Sequence, residues 1–284
     1  MSKKIGVVGA GLMGAEIALV FALAGHDVLL NDRDQDSLER AAARLRTLME
    51  KGVARGFYEA AEVEPTLARI RPTTDLATFA DRELVIEAVF EAVDAKALVL
   101  KALGEICAPD ILIASNTSTI PISTLAAELP AGRRASFIGT HFFSPVSRMQ
   151  LVEVIPGFDT ADETVEAAMQ AMRDIGKVPI RVKDVAGFAV NRMLHAFLIE
   201  AVKLVEEGVA APADLDIACR LGLGHPIGPF ALMDAVTSSL CVQAQEIMQE
   251  AYGERFRPPA LIKQRVRAGY GGGKGKPGWF SAAG

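Results

Sequence analysis

Six residues near the start, Gly9-Ala10-Gly11-Leu12-Met13-Gly14, constrain the fold of this chain more than any other feature. The pattern G-x-G-x-x-G is weak alone, because glycines so spaced also make plain turns. Here it follows the short apolar run 5–8 and opens a helix-like stretch, 15–24, which stops at Gly25 before a second strand at 28–30. Strand, glycine turn, helix and strand make a βαβ unit, the building block of parallel α/β sheets. Each glycine has its own task in such a turn. The first permits the tight bend, the second lets backbone approach a diphosphate, and the third lets the helix pack close to the strand. Gly9, Gly11, Leu12, Met13 and Gly14 are therefore expected to hold a dinucleotide, with the positive helix end facing its phosphates. Asp32 follows Gly14 by 18 residues and ends the second strand. Its carboxylate can accept from both adenosine ribose hydroxyls and repels a 2′-phosphate, which makes NAD the expected cofactor rather than NADP. Arg33 beside it reads as stacking on adenine or as a solvated side chain.

Further strands are expected at 84–86, 111–114, 137–139, 151–155 and 178–182, with helices at 37–48, 94–106 and 162–175. Alternating strands and helices imply a Rossmann-type, doubly wound, mostly parallel sheet. The pattern changes near Lys183. Phe188, Val190, Leu194, Phe197, Leu198, Ala201, Val202 and Val205 recur at helical spacing, and later helices are bounded by Pro212, by residues 222–229 and by Pro258-Pro259. The expected organisation is a dinucleotide-binding domain over 1–183 and an all-helical C-terminal domain over 184–284, the glycine-rich stretch 269–284 forming a loop or tail.

Composition excludes several classes. Half of the 284 residues are apolar and 23% are charged, as in an ordinary globular chain. The mean hydropathy of +0.26 is high. Even so, Glu16, His26 and Asp27 interrupt the richest stretch well short of the roughly 18 apolar residues a membrane helix needs. The surplus apolarity is assigned instead to buried strands and a subunit interface. A net charge of −5 argues against a nucleic-acid partner. Met1-Ser2-Lys3-Lys4-Ile5 runs directly into a strand without a signal or transit pattern. Cys107, Cys219 and Cys241 lack metal-ligand or disulfide spacing, so no metal is expected and a cytoplasmic location is.

Among four histidines, His26 reads as a surface cap after a helix, His195 as core or interface, and His225 as part of a Gly/Pro turn. His141 differs because it ends a strand, in Gly139-Thr140-His141-Phe142-Phe143-Ser144-Pro145. The carboxyl ends of parallel strands face the ligand crevice. Position alone leaves a catalytic and a structural role both open.

Taken with the glycine turn, several segments give the chain a resemblance to the 3-hydroxyacyl-CoA dehydrogenase family. They are Val85-Ile86-Glu87-Ala88-Val89-Phe90-Glu91, Ser115-Asn116-Thr117-Ser118, His141-Phe142-Phe143, Leu151-Val152-Glu153-Val154, Gly187-Phe188-Ala189-Val190-Asn191-Arg192 and Pro226-Ile227-Gly228-Pro229-Phe230. The resemblance implies NAD-dependent, reversible oxidation of (S)-3-hydroxyacyl-CoA to 3-ketoacyl-CoA in fatty acid metabolism. His141 would be the general base, taking the hydroxyl proton while hydride leaves the adjacent carbon. Glu153 would fix the imidazole tautomer and stabilise the imidazolium, although strand alternation alone reads Glu153 as exposed. Ser118 and Asn191 would hydrogen-bond substrate oxygens. Glu91, Lys96 and Ser118 would line the nicotinamide side of the cofactor.

The resemblance also implies a homodimer through the helical domain and an acyl-CoA thioester as substrate, with Arg46, Lys51 and Arg55 as candidates for the CoA phosphates. Departures from the family pattern are Ser144 for asparagine, Ala186 for proline, Ser238-Ser239-Leu240 for Gly-Leu-Asp, and the ending Pro277-Gly278-Trp279-Phe280. They bear on substrate more than on chemistry. Two alternatives accompany this reading: a free hydroxy acid of the sugar-acid or carnitine type, clamped by Arg148 or Arg192, and a non-catalytic NAD-binding protein. A dehydrogenase family with a catalytic lysine at the start of its helical domain is disfavoured, because residues 185–191 contain no lysine.

Overall fold

The computed structural model describes residues 2–280. The chain forms two compact units that part between Val185 and Ala186. Along the first unit run β1 (Lys4–Val8), α1 (Leu12–Leu23), β2 (Asp27–Asn31), α2 (Gln35–Ala54), α3 (Val63–Ala68), β3 (Ile70–Thr73), β4 (Leu84–Glu87) and α4 (Val93–Ile106). They are followed by β5 (Leu112–Ser115), α5 (Ile122–Ala126), β6 (Phe137–Phe142), β7 (Leu151–Pro156), α6 (Asp162–Asp174) and β8 (Val178–Arg181).

The strands form one sheet in the order β3-β2-β1-β4-β5-β6-β7-β8. The expected doubly wound, mostly parallel sheet is what the chain builds. The direction of winding reverses between β1 and β4, which opens a crevice at their carboxyl ends. Only β6 and β7 run antiparallel. The reason is connection length: residues 143–150 are too few for the dozen or so that a parallel crossover requires.

Local sequence explains the elements around the crevice. In α2, Leu38, Ala41, Leu45 and Met49 form a buried stripe at helical spacing. Asp34 caps that helix by accepting from Ser37 N at 2.8 Å. Helix α1 is buried along most of its length, because Ala15, Ile17, Ala18 and Leu19 leave no polar face. Strand β3 and helices α3 and α5 were not anticipated. Pro72 argues against a strand and is tolerated because β3 is an edge. At 6 and 5 residues, α3 and α5 are too short to show a period.

The second unit contains α7 (Val190–Glu206), α8 (Pro212–Gly222), α9 (Pro229–Val236), α10 (Ser238–Tyr252) and α11 (Ala260–Arg267). Helices α8 and α9 each place proline at their first position, where no backbone donor is needed. Leu198, Val202, Phe230, Met233 and Ile262 form the core, and Trp279 packs on it with its ring centroid 4.8 Å from that of Phe230. Asp234 accepts from the backbone nitrogens of Trp279 (2.8 Å) and Phe280 (3.0 Å). The glycine-rich end is thus a loop whose last described residues are pinned to the helices, while 281–284 of the expected tail lie outside the described residues. Gly278 is required there, since a Cβ would stand 2.1 Å from Asp234 Oδ1.

Among the described residues no helix is long and apolar enough to cross a membrane. Nor, among them, does any group of three or more His, Cys, Asp or Glu side chains come together to hold a metal ion.

Candidate active site

The glycine turn joins β1 to α1 at the crevice. A Cβ on Gly9 (φ +102°) would lie 2.6 Å from Ala88 O, and one on Gly14 only 1.8 Å from Gly9 O. Gly11 has nothing within 4 Å of where its Cβ would point, so backbone there faces open space. Helix α1 begins at Leu12 with no side-chain cap and no acidic residue in its first turn. An uncapped helix end beside bare backbone suits the diphosphate of a dinucleotide.

Asp32 follows β2, with Oδ2 accepting from Ala10 N at 2.7 Å and Oδ1 from Arg33 N at 2.8 Å. It therefore fastens the glycine turn as well as being available to a ribose. The Arg33 side chain is solvated. Arg44, which sequence reading missed, donates from α2 to Ala10 O (3.0 Å) and Gly11 O (2.8 Å) and brings positive charge to the same turn. Nothing in an arginine-rich helix distinguishes Arg44 from its neighbours before the helix is packed.

At the far side of the crevice, β6 and β7 pair with His141 directly opposite Glu153. Directly opposed residues of an antiparallel pair point to the same face, so the register brings the two side chains together. His141 Nδ1 lies 2.8 Å from Glu153 Oε2, both residues are buried, and Glu153 is fully enclosed. Phe143 packs on the imidazole with a centroid separation of 4.5 Å. Asn116 Oδ1 accepts from Phe142 N at 2.9 Å and ties the end of β6 to the loop after β5. The loop after His141 is anchored by buried charges. Glu16 accepts from Ser147 N at 3.1 Å, and Lys177 donates to Met149 O at 2.8 Å.

Glu91 organises the loop that carries Ser118. Its Oε1 accepts from Thr117 Oγ1 (2.7 Å), Ser118 N (2.7 Å), Thr119 N (2.9 Å) and Ser118 Oγ (3.2 Å). Burial pulls the Glu91 carboxyl up, but the Lys96 ammonium and these donors together hold it below its ordinary value. The Ser118 hydroxyl makes the longest of these contacts and stands on the loop that Glu91 holds. Lys96 is buried behind Glu91, with Nζ donating to Glu87 Oε1 (2.8 Å) and Val89 O (3.3 Å) and forming an ion pair with Glu91 Oε2 at 3.3 Å.

Asn191 belongs to the second unit, half-buried in the first turn of α7. His195, one turn on, is buried, and burial pushes its imidazole down to about 4. It is a neutral core residue. His26 is buried rather than a surface cap: its Nδ1 accepts from Lys3 N at 3.0 Å at the amino ends of the strands, away from the crevice. Of the cations considered for CoA, Arg46 pairs with Glu64 and faces elsewhere. Lys51 and Arg55 line a cleft of about 510 Å³ together with Arg44, Arg148, Phe57 and Tyr58.

A doubly wound sheet with this glycine turn at its switch point defines a Rossmann-type, dinucleotide-binding protein. Residues 4–185 match the 3-hydroxyacyl-CoA dehydrogenase NAD binding domain, and residues 187–282 match the C-terminal domain of the same enzymes. The chain belongs to the 3-hydroxyacyl-CoA dehydrogenase family, whose reaction is the reversible, NAD-dependent oxidation of a 3-hydroxyacyl-CoA. It is 41% identical over 278 residues to a probable 3-hydroxybutyryl-CoA dehydrogenase of Deinococcus radiodurans, covering 98% of this chain and 99% of that one. Its structure is similar to the crystal structure of (S)-3-hydroxybutyryl-CoA dehydrogenase from Ralstonia eutropha, with a TM-score of 0.94, 35% identity and full coverage of both chains. It is also similar, at TM-score 0.80 and 32% identity over 99% of this chain and 91% of the other, to a 5-formyl-3-hydroxy-2-methylpyridine 4-carboxylic acid 5-dehydrogenase.

Proposed function

We propose that the chain oxidises short to medium (S)-3-hydroxyacyl-CoA thioesters with His141 as the general base and Glu153 as its partner. The observation that carries this reading is the buried 2.8 Å contact between His141 Nδ1 and Glu153 Oε2 on paired strands. With Nδ1 committed to Glu153, the ring exchanges the hydroxyl proton at Nε2. The enclosed carboxylate then stabilises the imidazolium as it forms. NAD, when bound, supplies the hydride acceptor; Gly9, Gly11, Leu12, Met13, Gly14 and Asp32 are the residues suited to hold it. Ser118, on the loop held by Glu91, and Asn191 are the residues the family resemblance assigns to hydrogen bonds with substrate oxygens. Orientation of this kind is what turns a bound alcohol into a poised one.

The cleft of Arg44, Lys51, Arg55 and Arg148 supports a phosphorylated handle on the substrate. The two arginines considered as carboxylate clamps each rest on an aromatic ring: Arg148 lies 3.4 Å from the Phe57 centroid and Arg192 lies 3.9 Å from that of Tyr252. Stacking orients each guanidinium and leaves its in-plane N–H groups able to meet a phosphate or a carboxylate, so the thioester reading rests on the grouping of four cations in one cleft. The second reading keeps one support, the structural similarity to a dehydrogenase named for a pyridine carboxylic acid. We further infer a homodimer through the helical unit, where Met193, Val209, Ile217, Leu221 and Leu223 are exposed, and a cytoplasmic role in fatty acid metabolism. A monomer by light scattering at micromolar concentration would refute the dimer.

The test follows NADH absorbance against acetoacetyl-CoA, longer 3-ketoacyl-CoAs and the matching free acids. Thioesters are expected to be used at far higher kcat/KM, because the remote CoA handle contributes to the transition state. Equal or better use of acetoacetate, abolished by Arg148→Met or Arg192→Met, would overturn the CoA assignment in favour of the free acid.

A further inference from the structure

The carboxyl end of β4 buries a group of charges to which the proton chemistry gives no task. Glu87, the last residue of β4, is 0% exposed, yet its carboxylate is fully engaged. Val89 N donates to Oε1 at 2.7 Å, Lys96 Nζ to the same oxygen at 2.8 Å, and Ser115 Oγ to Oε2 at 2.6 Å. Lys96, 1% exposed, reaches on to Glu91 at 3.3 Å, and Glu91 alone of the three shows part of its side chain, 32%, to solvent. Two carboxylates and one ammonium leave a formal excess of one negative charge.

Hydrogen bonds from Thr117, Ser118 and Thr119 keep Glu91 ionised, so the excess stands as a fixed negative charge at the edge of the crevice, and a cation placed there gains from it. A dinucleotide in a Rossmann crevice lies across the switch point. With its diphosphate on the glycine turn and its adenosine toward Asp32 beyond β2, the second ring falls on the side of β4 and β5. That ring is a cation in the oxidised form and neutral in the reduced form. The two forms otherwise carry the same phosphates and riboses.

We propose that the Glu87–Lys96–Glu91 cluster biases the protein toward the oxidised dinucleotide, with Glu87, which touches no ligand, as the positioning residue that leaves the cluster negative. The inference rests on the NAD-dependent reading of the crevice and extends it from which cofactor is held to which redox state is favoured. Glu91 presents the charge to the crevice, Lys96 balances one carboxylate only, and Ser115 with Val89 keeps Glu87 in place. The polarity follows from the geometry: Glu87 and Lys96 are both enclosed, so their charges reach a ligand through protein and not through screening water.

Calorimetric dissociation constants for NAD⁺ and NADH, measured on the whole protein without acyl substrate, test the inference. Glu87→Gln removes the excess charge, and the ratio Kd(NAD⁺)/Kd(NADH) is expected to rise about tenfold, the scale of one unit charge acting across several ångströms of protein. Glu87→Asp keeps the charge while disturbing the packing, so both constants rise and the ratio stays. Glu87→Gln combined with Lys96→Met restores the net charge, and the ratio returns to within about threefold of wild type. A Glu87→Gln protein in which both constants move equally reduces Glu87 to a structural role and overturns the inference. If that variant does not fold, a shifted ratio in Glu87→Asp or in the double variant overturns it instead. Wild-type protein that bound neither nucleotide would overturn the functional reading itself, and this inference with it.

Discussion

Glu153→Gln isolates the charge of the proposed acid–base pair with little change of shape. The carboxylate it replaces sits 2.8 Å from His141 Nδ1 and is closed off from solvent. Taking about 4 Å between the charge centres and an effective dielectric near 20, the attraction between carboxylate and a full imidazolium is about 4 kcal/mol. The proton is only partly transferred at the transition state, and glutamine keeps a neutral hydrogen bond. About half of that attraction is therefore lost, about 2 kcal/mol, which corresponds to a fall in kcat of roughly 30-fold. Binding of NADH should be unchanged, because Glu153 is enclosed between strands. His141→Gln removes the base itself, and its fall should be larger, about 10²- to 10⁴-fold. The assay is initial NADH formation at saturating (S)-3-hydroxybutyryl-CoA, run beside substrate deuterated at the carbinol carbon so that the chemical step is the one observed. A folded Glu153→Gln enzyme with kcat within threefold of wild type and a full isotope effect would refute the reasoning. So would a larger loss from Glu153→Gln than from His141→Gln.

Three further outcomes follow from the structure. Gly11→Ala adds a methyl group where no atom lies within 4 Å, so the melting temperature should hold while NAD affinity falls at least about tenfold; unchanged affinity would mean that the diphosphate does not approach there. Asp32→Ala removes both the ribose acceptor and the anchor of Ala10 N, so NAD binding should weaken and the NADP/NAD efficiency ratio should rise; a constant ratio in steady-state kinetics removes Asp32 from cofactor choice. His195 titrates at about 4 when folded, below its value of 6.5 when unfolded, so protons bind the unfolded chain preferentially, and stability present above pH 6.5 is lost as pH falls toward 4. By pH 4.5 this loss is on the order of 2 to 3 kcal/mol, and urea unfolding of His195→Leu should show a correspondingly smaller drop between pH 7.5 and 4.5; parallel drops in variant and wild type would contradict it.

What could be read from the sequence is what repeats along it. The βαβ pattern and the glycine turn are local, and they located the crevice before any packing was known. The helical second unit was legible for the same reason, through apolar residues at a constant spacing. Pairings across the sheet were not. Alternation around Glu153 suggested solvent, but β7 lies inside the sheet and is covered on both faces, since Glu153 is enclosed on one and Val152 and Val154 on the other. Family resemblance named Glu153; only the antiparallel register explains its contact with His141. Arg44, Glu16 and Lys177 act on residues 34, 131 and 28 positions away, a kind of information that no window of sequence contains. Lys96 was found by resemblance, and its burial behind Glu91 is a tertiary property that the sequence does not display.

The antiparallel step between β6 and β7 makes the length of the eight-residue connection 143–150 decide the dyad as well as the packing of the sheet. Side chains alternate faces along a strand, so sliding β7 by one position against β6 would leave much of the hydrogen-bonded ladder able to re-form while turning Glu153 to the opposite face from His141. Inserting or deleting one residue in that connection, between the anchors at Ser147 and Met149, therefore threatens the dyad together with the seating of Val152 and Val154 in the core. Two-residue changes return the side chains to the correct face, but opposite the wrong partner. Here the length of a loop is as much a part of the chemistry as the histidine it follows.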